Sequence, residues 1–267
     1  MHVFPPVRHA RPATLAALVL AGALAACGPA QIPAGINDPH EAQNRATHDA
    51  NRELDRVLLR PASRGYGSIL PEPVRKGIGN FAANLDTPGD VLNNLLQLRL
   101  DDAAENTLRF VLNTTVGIGG LFDPATAIGI YGESTDFGET LHVWGAPEGA
   151  YVELPIAGPS TERDALGGVV DILLNPVRLA VPTPESHVAT AADIASAFGT
   201  RYEYSDMIDS VLYESADSYA QARLFYLQNR RFELGGGVGD NYVDPYEDVE
   251  SAYGDPITDP YFDPYAE

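Results

Sequence analysis

Basic side chains are scarce in this chain of 267 residues. Seventeen Lys and Arg stand against 37 Asp and Glu, and Lys76 is the lone lysine. The formal net charge of −20 excludes a nucleic-acid binder, because phosphate affinity comes from clustered Lys and Arg. Cysteine is scarcer still. Cys27 alone can form neither an internal disulfide nor a thiolate zinc site. No apolar run approaches the ~20 residues that a membrane-spanning helix needs. Strand-type alternation is also rare, so the body reads as mainly α. Catalytic signatures are missing. There is no Gly-x-Ser-x-Gly elbow, and Gly117-Ile-Gly-Gly-Leu-Phe122 lacks the third glycine of a dinucleotide fingerprint. His40, His48, His142 and His187 form no His-x-x-x-His pair, and no nucleophile–base pair is legible. No metal, cofactor or enzymatic activity is therefore expected.

What is present starts at the N-terminus. Residues 1–26 carry Arg8 and Arg11, no acid, and the apolar run Leu15–Leu24. This is the charged and apolar sequence of a secretory signal. The run ends Leu24-Ala25-Ala26-Cys27-Gly28, which is similar to the bacterial lipobox, where cleavage precedes an acylated cysteine. Cys27 is thus the expected lipidation site, and at ~0.8 kcal/mol per buried methylene its acyl chains would anchor the chain firmly. Gly28 after the cysteine, in place of Asp, agrees with sorting to the outer membrane. Residues 27–36 read as an acylated tether.

Residues 37–234 form the expected helical body. Asn37-Asp38-Pro39 opens a first helix to about Leu59, stopped by Pro61. Val74–Ala83 reads as a short helix. Asp86-Thr87-Pro88 then caps an apolar segment reaching Leu100, and Asp101–Thr115 follows, ended by Gly117, Gly119 and Gly120. Asp123-Pro124 starts another short helix. Ser160–Asn175, Ala189–Glu214 and Asp217–Leu234 read as helices, with a Pro-broken loop at 176–188. From 235 to 267 the chain reads as a Gly linker and a disordered acidic tail with nine acids and no basic residue.

Two features carry functional content. Asn80, Asn84, Asn93, Asn94, Gln97, Asn106 and Asn113, with Arg109, punctuate otherwise apolar helices. They suit either a rigid hydrogen-bonded network or a polar inner wall whose apolar face is turned to lipid. The stretch Trp144-Gly145 to Gly149-Ala150-Tyr151 reads as a hairpin with aromatic ends, suited to an ordinary surface or to a membrane interface.

Taken together the chain resembles the MlaA (VacJ) family of outer-membrane phospholipid-transport lipoproteins. The resemblance runs through Asn37-Asp-Pro39, Leu59-Arg-Pro61, Asn94-Leu-Leu-Gln97, Arg109-Phe110, Asn113-Thr-Thr115, Gly117-Ile-Gly-Gly-Leu-Phe-Asp123, Asp136-Phe-Gly138, Trp144-Gly145, Gly158-Pro-Ser160 and Asp217-Ser-Tyr219. It implies a helical ring in the periplasm-facing leaflet of the outer membrane, enclosing a central amphipathic channel. Through it, mislocalised phospholipids leave the outer leaflet for a periplasmic carrier, in association with trimeric porins. It makes Trp144, Gly145, Gly149 and Tyr151 the expected lining or gating loop. Arg109, Asn113, Gly117, Gly119 and Gly120 become the expected channel wall or polar network. A porin-associated scaffold without lipid passage is the alternative, and a lipid hydrolase a third.

Overall fold

Capping side chains set four of the helix starts. Asp123 accepts from the Thr126 N–H, Asp136 from Glu139, Thr161 from Asp164 and Asp217 from Ala220, at 2.8–3.2 Å. Each satisfies a donor that the first helical turn leaves unpaired. The computed structural model describes residues 28–181 and 187–236. The signal peptide, Cys27 and the tail beyond Gly236 lie outside the described residues.

Helix α1 (Glu41–Leu54) passes through a π-helical turn (Asp55–Leu59) into α2 (Arg60–Ile69). Then come α3 (Glu72–Leu96), α4 (Leu100–Thr115), α5 (Pro124–Ala127) and α6 (Phe137–Val143). A two-stranded hairpin, β1 (Tyr151–Leu154) and β2 (Gly158–Thr161), precedes α7 (Glu162–Leu174). The described chain closes with α8 (Pro176–Ala180), α9 (His187–Glu203), α10 (Ser205–Asp209) and α11 (Ser218–Arg231). The protein is mainly α, as the sequence implies. α3 packs against α4 and α9, α9 against α2, α6 against α7, and α1 against β1.

Several expected boundaries move. The first helix does not stop at Leu59. In the π-helical turn the Arg60 N–H donates to the Asp55 carbonyl, five residues back. That widening brings Pro61, which has no N–H, through the second residue of α2 without ending the helix. Likewise Val74–Ala83 and the segment after Pro88 are one helix. Pro88 has no N–H to donate, yet α3 runs unbroken from Glu72 to Leu96 and packs against α4 and α9. Ala189–Glu214 is broken at Tyr204, and the loop after residue 175 begins with α8. The aromatic-ended hairpin lies later than expected: residues 145–150 are an irregular link, and strand pairing runs from Tyr151–Thr161 to Leu154–Gly158. Nor is the tether free of the body. Its Ala30 N–H reaches the His142 carbonyl at 2.9 Å, and Arg231 holds the Gly35 carbonyl.

A two-stranded sheet leaves an edge of unpaired amides, which costs stability unless covered. α1 covers it with asparagines. Asn44 donates to the Tyr151 carbonyl and accepts from the Glu153 N–H. Asn51 donates to the Leu154 carbonyl and accepts from the Ile156 N–H. Each carboxamide thus imitates a strand residue. The spacing Asn44, His48, Asn51 and Asp55 puts all four on one face of α1.

The buried set is polar. Its apolar members among the described residues are six alanines, Tyr151, Tyr219 and Leu227. Around them lie Asn84, Asn93, Asn94, Arg163, Arg201, Arg230 and Arg231, all at most 9% exposed. Arg201 grips both oxygens of Asp55 at 2.9 and 2.8 Å and Asp209 at 2.6 Å, and Tyr213 donates to Asp55. Burial opposes ionisation of Asp55 and Asp209, but Arg201 together with Tyr213 at Asp55 and Arg60 at Asp209 outweighs it and holds both below the usual carboxylate range. Arg201→Ala should therefore leave the buried Asp55 carboxylate without a cation, while Asp209 keeps Arg60 and Arg64, and cost about 3–5 kcal/mol in thermal or urea unfolding. Arg56→Ala, which breaks only the exposed pair with Glu53, should leave the midpoint unchanged.

Candidate functional site

Large apolar side chains stand outside this polar interior. Leu95, Leu100, Leu108 and Val111 are exposed along α3 and α4, and Leu166, Val169, Ile172 and Leu173 along α7. Three more occupy turns in left-handed backbone: Leu98 at φ 62°, Ile118 at 54° and Ile156 at 70°. Each is at least 65% exposed. Branched apolar residues are poor choices for that conformation in water. Among the described residues no helix is long and apolar enough to cross a membrane.

Two polar cavities open between the helices. The larger, about 690 Å³, lies between α3 and α9 and is lined by Glu72, Arg75, Lys76, Asn80, Thr200, Tyr202 and Glu203 among others. Its wall is tightly built. The Arg75 guanidinium sits 4.9 Å over the Tyr202 ring and donates to the Gly67 and Leu70 carbonyls. A Cβ on Gly67 would fall 2.2 Å from the Tyr202 ring, so only glycine lets the ring seat there. The second cavity, about 250 Å³, lies between α3, α6 and α7. Asp86, Asp90, Asp136 and Asp171 line it with Asn93 and Thr135. Burial, with the neighbouring Asp86, Asp171 and Asp136, pushes the Asp90 carboxyl up to about 7, against one N–H from Thr135.

The expected loop residues separate. Trp144 is half-exposed, donates from Nε1 to the Leu96 carbonyl at 3.1 Å and meets Phe137 edge-on. Gly145 and Gly149 have φ of 90° and 79°. Tyr151 is not at a rim; it is 1% exposed in the core beside Tyr219 and Leu227. Glu148, also buried, is held by Arg231 at 3.0 and 2.8 Å, so the second half of this loop is tied down.

Arg109, Asn113, Gly117, Gly119 and Gly120 build the turn after α4. Arg109 binds Asp123 at 2.6 Å, Thr126 and the Ile130 carbonyl. Asn113 binds Asp123 and accepts from the Ala125 N–H. Gly117 packs against the Phe122 carbonyl, Gly119 is open, and Gly120 at φ 94° backs onto Asn84. Their polar groups are spent on one another. Sequence reasoning missed Arg75, Tyr202 and Asp90. The signal available was Lys76, the lone lysine, next to Arg75.

The structure also joins three residues that the sequence keeps far apart. His48 Nε2 lies 3.0 Å from Ser218 Oγ, and its Nδ1 lies 3.2 Å from Glu153 Oε1. This is the connectivity of a serine-hydrolase triad. Here it is a weld between α1, β1 and α11. All three residues are at most 7% exposed, Arg52 also donates to Ser218, and the Tyr219 ring stands edge-on to His48. No group of three or more His, Cys, Asp or Glu among the described residues could hold a metal ion.

These features define a class: a helical protein with its polarity reversed, apolar outside, hydrogen-bonded inside, and opened by polar cavities between helices. Residues 36–233 match the profile of the MlaA lipoprotein family, and the chain belongs to that family. It is 33% identical over 207 residues to the intermembrane phospholipid transport system lipoprotein MlaA of Shigella flexneri, covering 76% of this chain and 80% of the relative. The protein of the same name from Haemophilus influenzae is 30% identical over 236 residues, covering 84% and 90%. An uncharacterized protein of Rickettsia felis is 35% identical over 189 residues, covering 70% and 74%. A solved chain from work described as "Structural basis for maintenance of bacterial outer membrane lipid asymmetry" matches with a TM-score of 0.65 at 32% identity. That match covers 74% of this chain and 98% of the other.

Two predictions follow from this geometry. The folded Asp90 carboxyl titrates above its unfolded value of ~3.9, so the folded chain holds an extra proton between about pH 4 and 7. Stability should fall as pH rises through that window. Asp90→Asn should flatten the dependence and raise stability at pH 8 by on the order of 2 kcal/mol in urea titrations. A fluorophosphonate probe should leave the folded protein unlabelled, whereas labelling abolished by Ser218→Ala would show a working nucleophile.

Proposed function

We propose that this protein is an outer-membrane lipoprotein that removes mislocalised phospholipids from the outer leaflet and passes them to a periplasmic carrier, maintaining lipid asymmetry. The observation that carries the reading is the reversed polarity. Apolar residues outside and polar groups gathered inside, most of them hydrogen-bonded, suit a body seated in one leaflet, because hydrocarbon satisfies no backbone or side-chain donor. Exposed Leu98, Ile118 and Ile156 at turns fit lipid better than water. The relatives named for intermembrane phospholipid transport support the same role.

In this reading Cys27 carries the acyl anchor and holds the body in the periplasm-facing leaflet. Helices α3, α4, α7 and α9 form the ring, and phospholipid passes through its polar centre. The loop from Trp144 to Tyr151 gates it, with the hinge confined to Gly145–Pro147 because Arg231 ties down Glu148. Trimeric porins hold the ring beside the outer leaflet.

Protein extracted with mild detergent from the outer membrane should carry bound phospholipid, read by mass spectrometry. Deleting the gene should raise outer-leaflet phospholipid and detergent sensitivity. Porin association without bound lipid, together with normal asymmetry in the deletion strain, would leave a scaffold instead.

A further inference from the structure

Almost every cation among the described side chains is spoken for. Among the described side chains, Arg45, Arg52, Arg56, Arg60, Arg64, Arg99, Arg109, Arg163, Arg201, Arg223, Arg230 and Arg231 each lie within 4 Å of a carboxylate. Arg75 and Lys76 do not, and both line the cavity of about 690 Å³ between α3 and α9. Two carboxylates in no ion pair or hydrogen bond among the described residues, Glu72 and Glu203, line the same cavity.

This unpairing runs against local preference. Glu72 stands three residues before Arg75 and four before Lys76, the spacings at which helical ion pairs form with the acid N-terminal. Arg75 is instead turned onto Tyr202 and the Gly67 and Leu70 carbonyls. Those bonds use Nη1 alone, so Nε and Nη2 remain uncommitted. Arg75 is thereby held in place, while Lys76 is an exposed charge beside it. In a chain of net charge −20 this is a locally balanced site, with two positive groups, two negative groups, and hydroxyls from Ser196, Thr200 and Ser205. Its volume falls within the ~300–1,000 Å³ usual for small-molecule pockets.

We infer that this cavity binds a zwitterionic phosphodiester bearing a primary ammonium, the headgroup of an aminophospholipid. Arg75 and Lys76 hold the phosphate, the former through its planar N–H groups and the latter as a point charge. Glu72 and Glu203 hold the ammonium. An anionic headgroup would gain the two cations but meet the two carboxylates without a compensating charge. The inference rests on the proposed lipid passage and adds a preference to it.

The test is competition. Full-length acylated protein is exchanged in detergent micelles containing equal amounts of phosphatidylethanolamine and phosphatidylglycerol, and bound lipid is counted by native mass spectrometry. The wild type should be enriched in phosphatidylethanolamine. The double variant Glu72→Gln with Glu203→Gln should lose that enrichment by about threefold, the scale of exposed ion pairs, at unchanged total lipid. Lys76→Gln should lower the binding of both lipids. Glycerophosphoethanolamine, the same headgroup without acyl chains, should compete only at large excess, whereas inorganic phosphate should not alter the ratio. Equal lipid ratios in wild type and the double variant would overturn the headgroup assignment while leaving lipid passage standing. No bound lipid in any variant would overturn both. All four residues are on the surface of the cavity, and unchanged circular dichroism separates recognition from misfolding.

Discussion

Arg201 lies between Asp55 and Asp209, Arg230 between Asp136 and Asp164, and Arg231 against Glu148. Each of these buried guanidinium groups joins segments distant in sequence: α9 to the turn after α1, α11 to α6 and α7, and α11 to the loop before β1. A desolvated charge is tolerable only where its partner is close. The interior therefore demands a fixed geometry. Helices cannot slide past one another as they might across a layer of leucines, because each shift would strand a charge. The π-helical turn lies at the same place: it carries Asp55, buried against Arg201, and passes Pro61 within one continuous rod.

Such an interior also frees the exterior. A chain that is 45% hydrophobic yet buries few large apolar side chains must display the rest. In water this would be an aggregation hazard. In a lipid leaflet it is the ordinary arrangement, with packing and hydrogen bonds rather than hydrophobic burial holding the helices together. The same reversal leaves room for polar cavities between the helices.

Much of the fold was legible because helix caps and apolar spacing are local. Asp123 and Asp217 stand where caps are needed, and Gly117 to Gly120 end α4 as expected, whereas α6, capped by Asp136, has no comparable signal in its Gly-rich surroundings. Reading Pro61 and Pro88 as breaks failed because tertiary packing decides whether a proline ends a helix. The site was less legible. Arg109 and Asn113 are visible in sequence as polar residues among leucines, but their partner Asp123 lies around a turn. Tyr151 reads as an interfacial aromatic by its neighbours, yet the Asn44 contact to its carbonyl draws its strand under α1. The pairing of His48 with Glu153 and Ser218, and the convergence of Arg75 with Tyr202, depend on how α1, α3 and α9 cross. No spacing in the chain encodes that.

The central claim is that the apolar face meets lipid while the cavity meets water. Single nitroxide labels at Leu108, Leu173 and Lys76, in protein reconstituted into phospholipid bilayers, test it directly. The account predicts that labels at Leu108 and Leu173 are relaxed by oxygen and shielded from a water-soluble nickel chelate, with the reverse at Lys76. Equal chelate access at all three positions would contradict it.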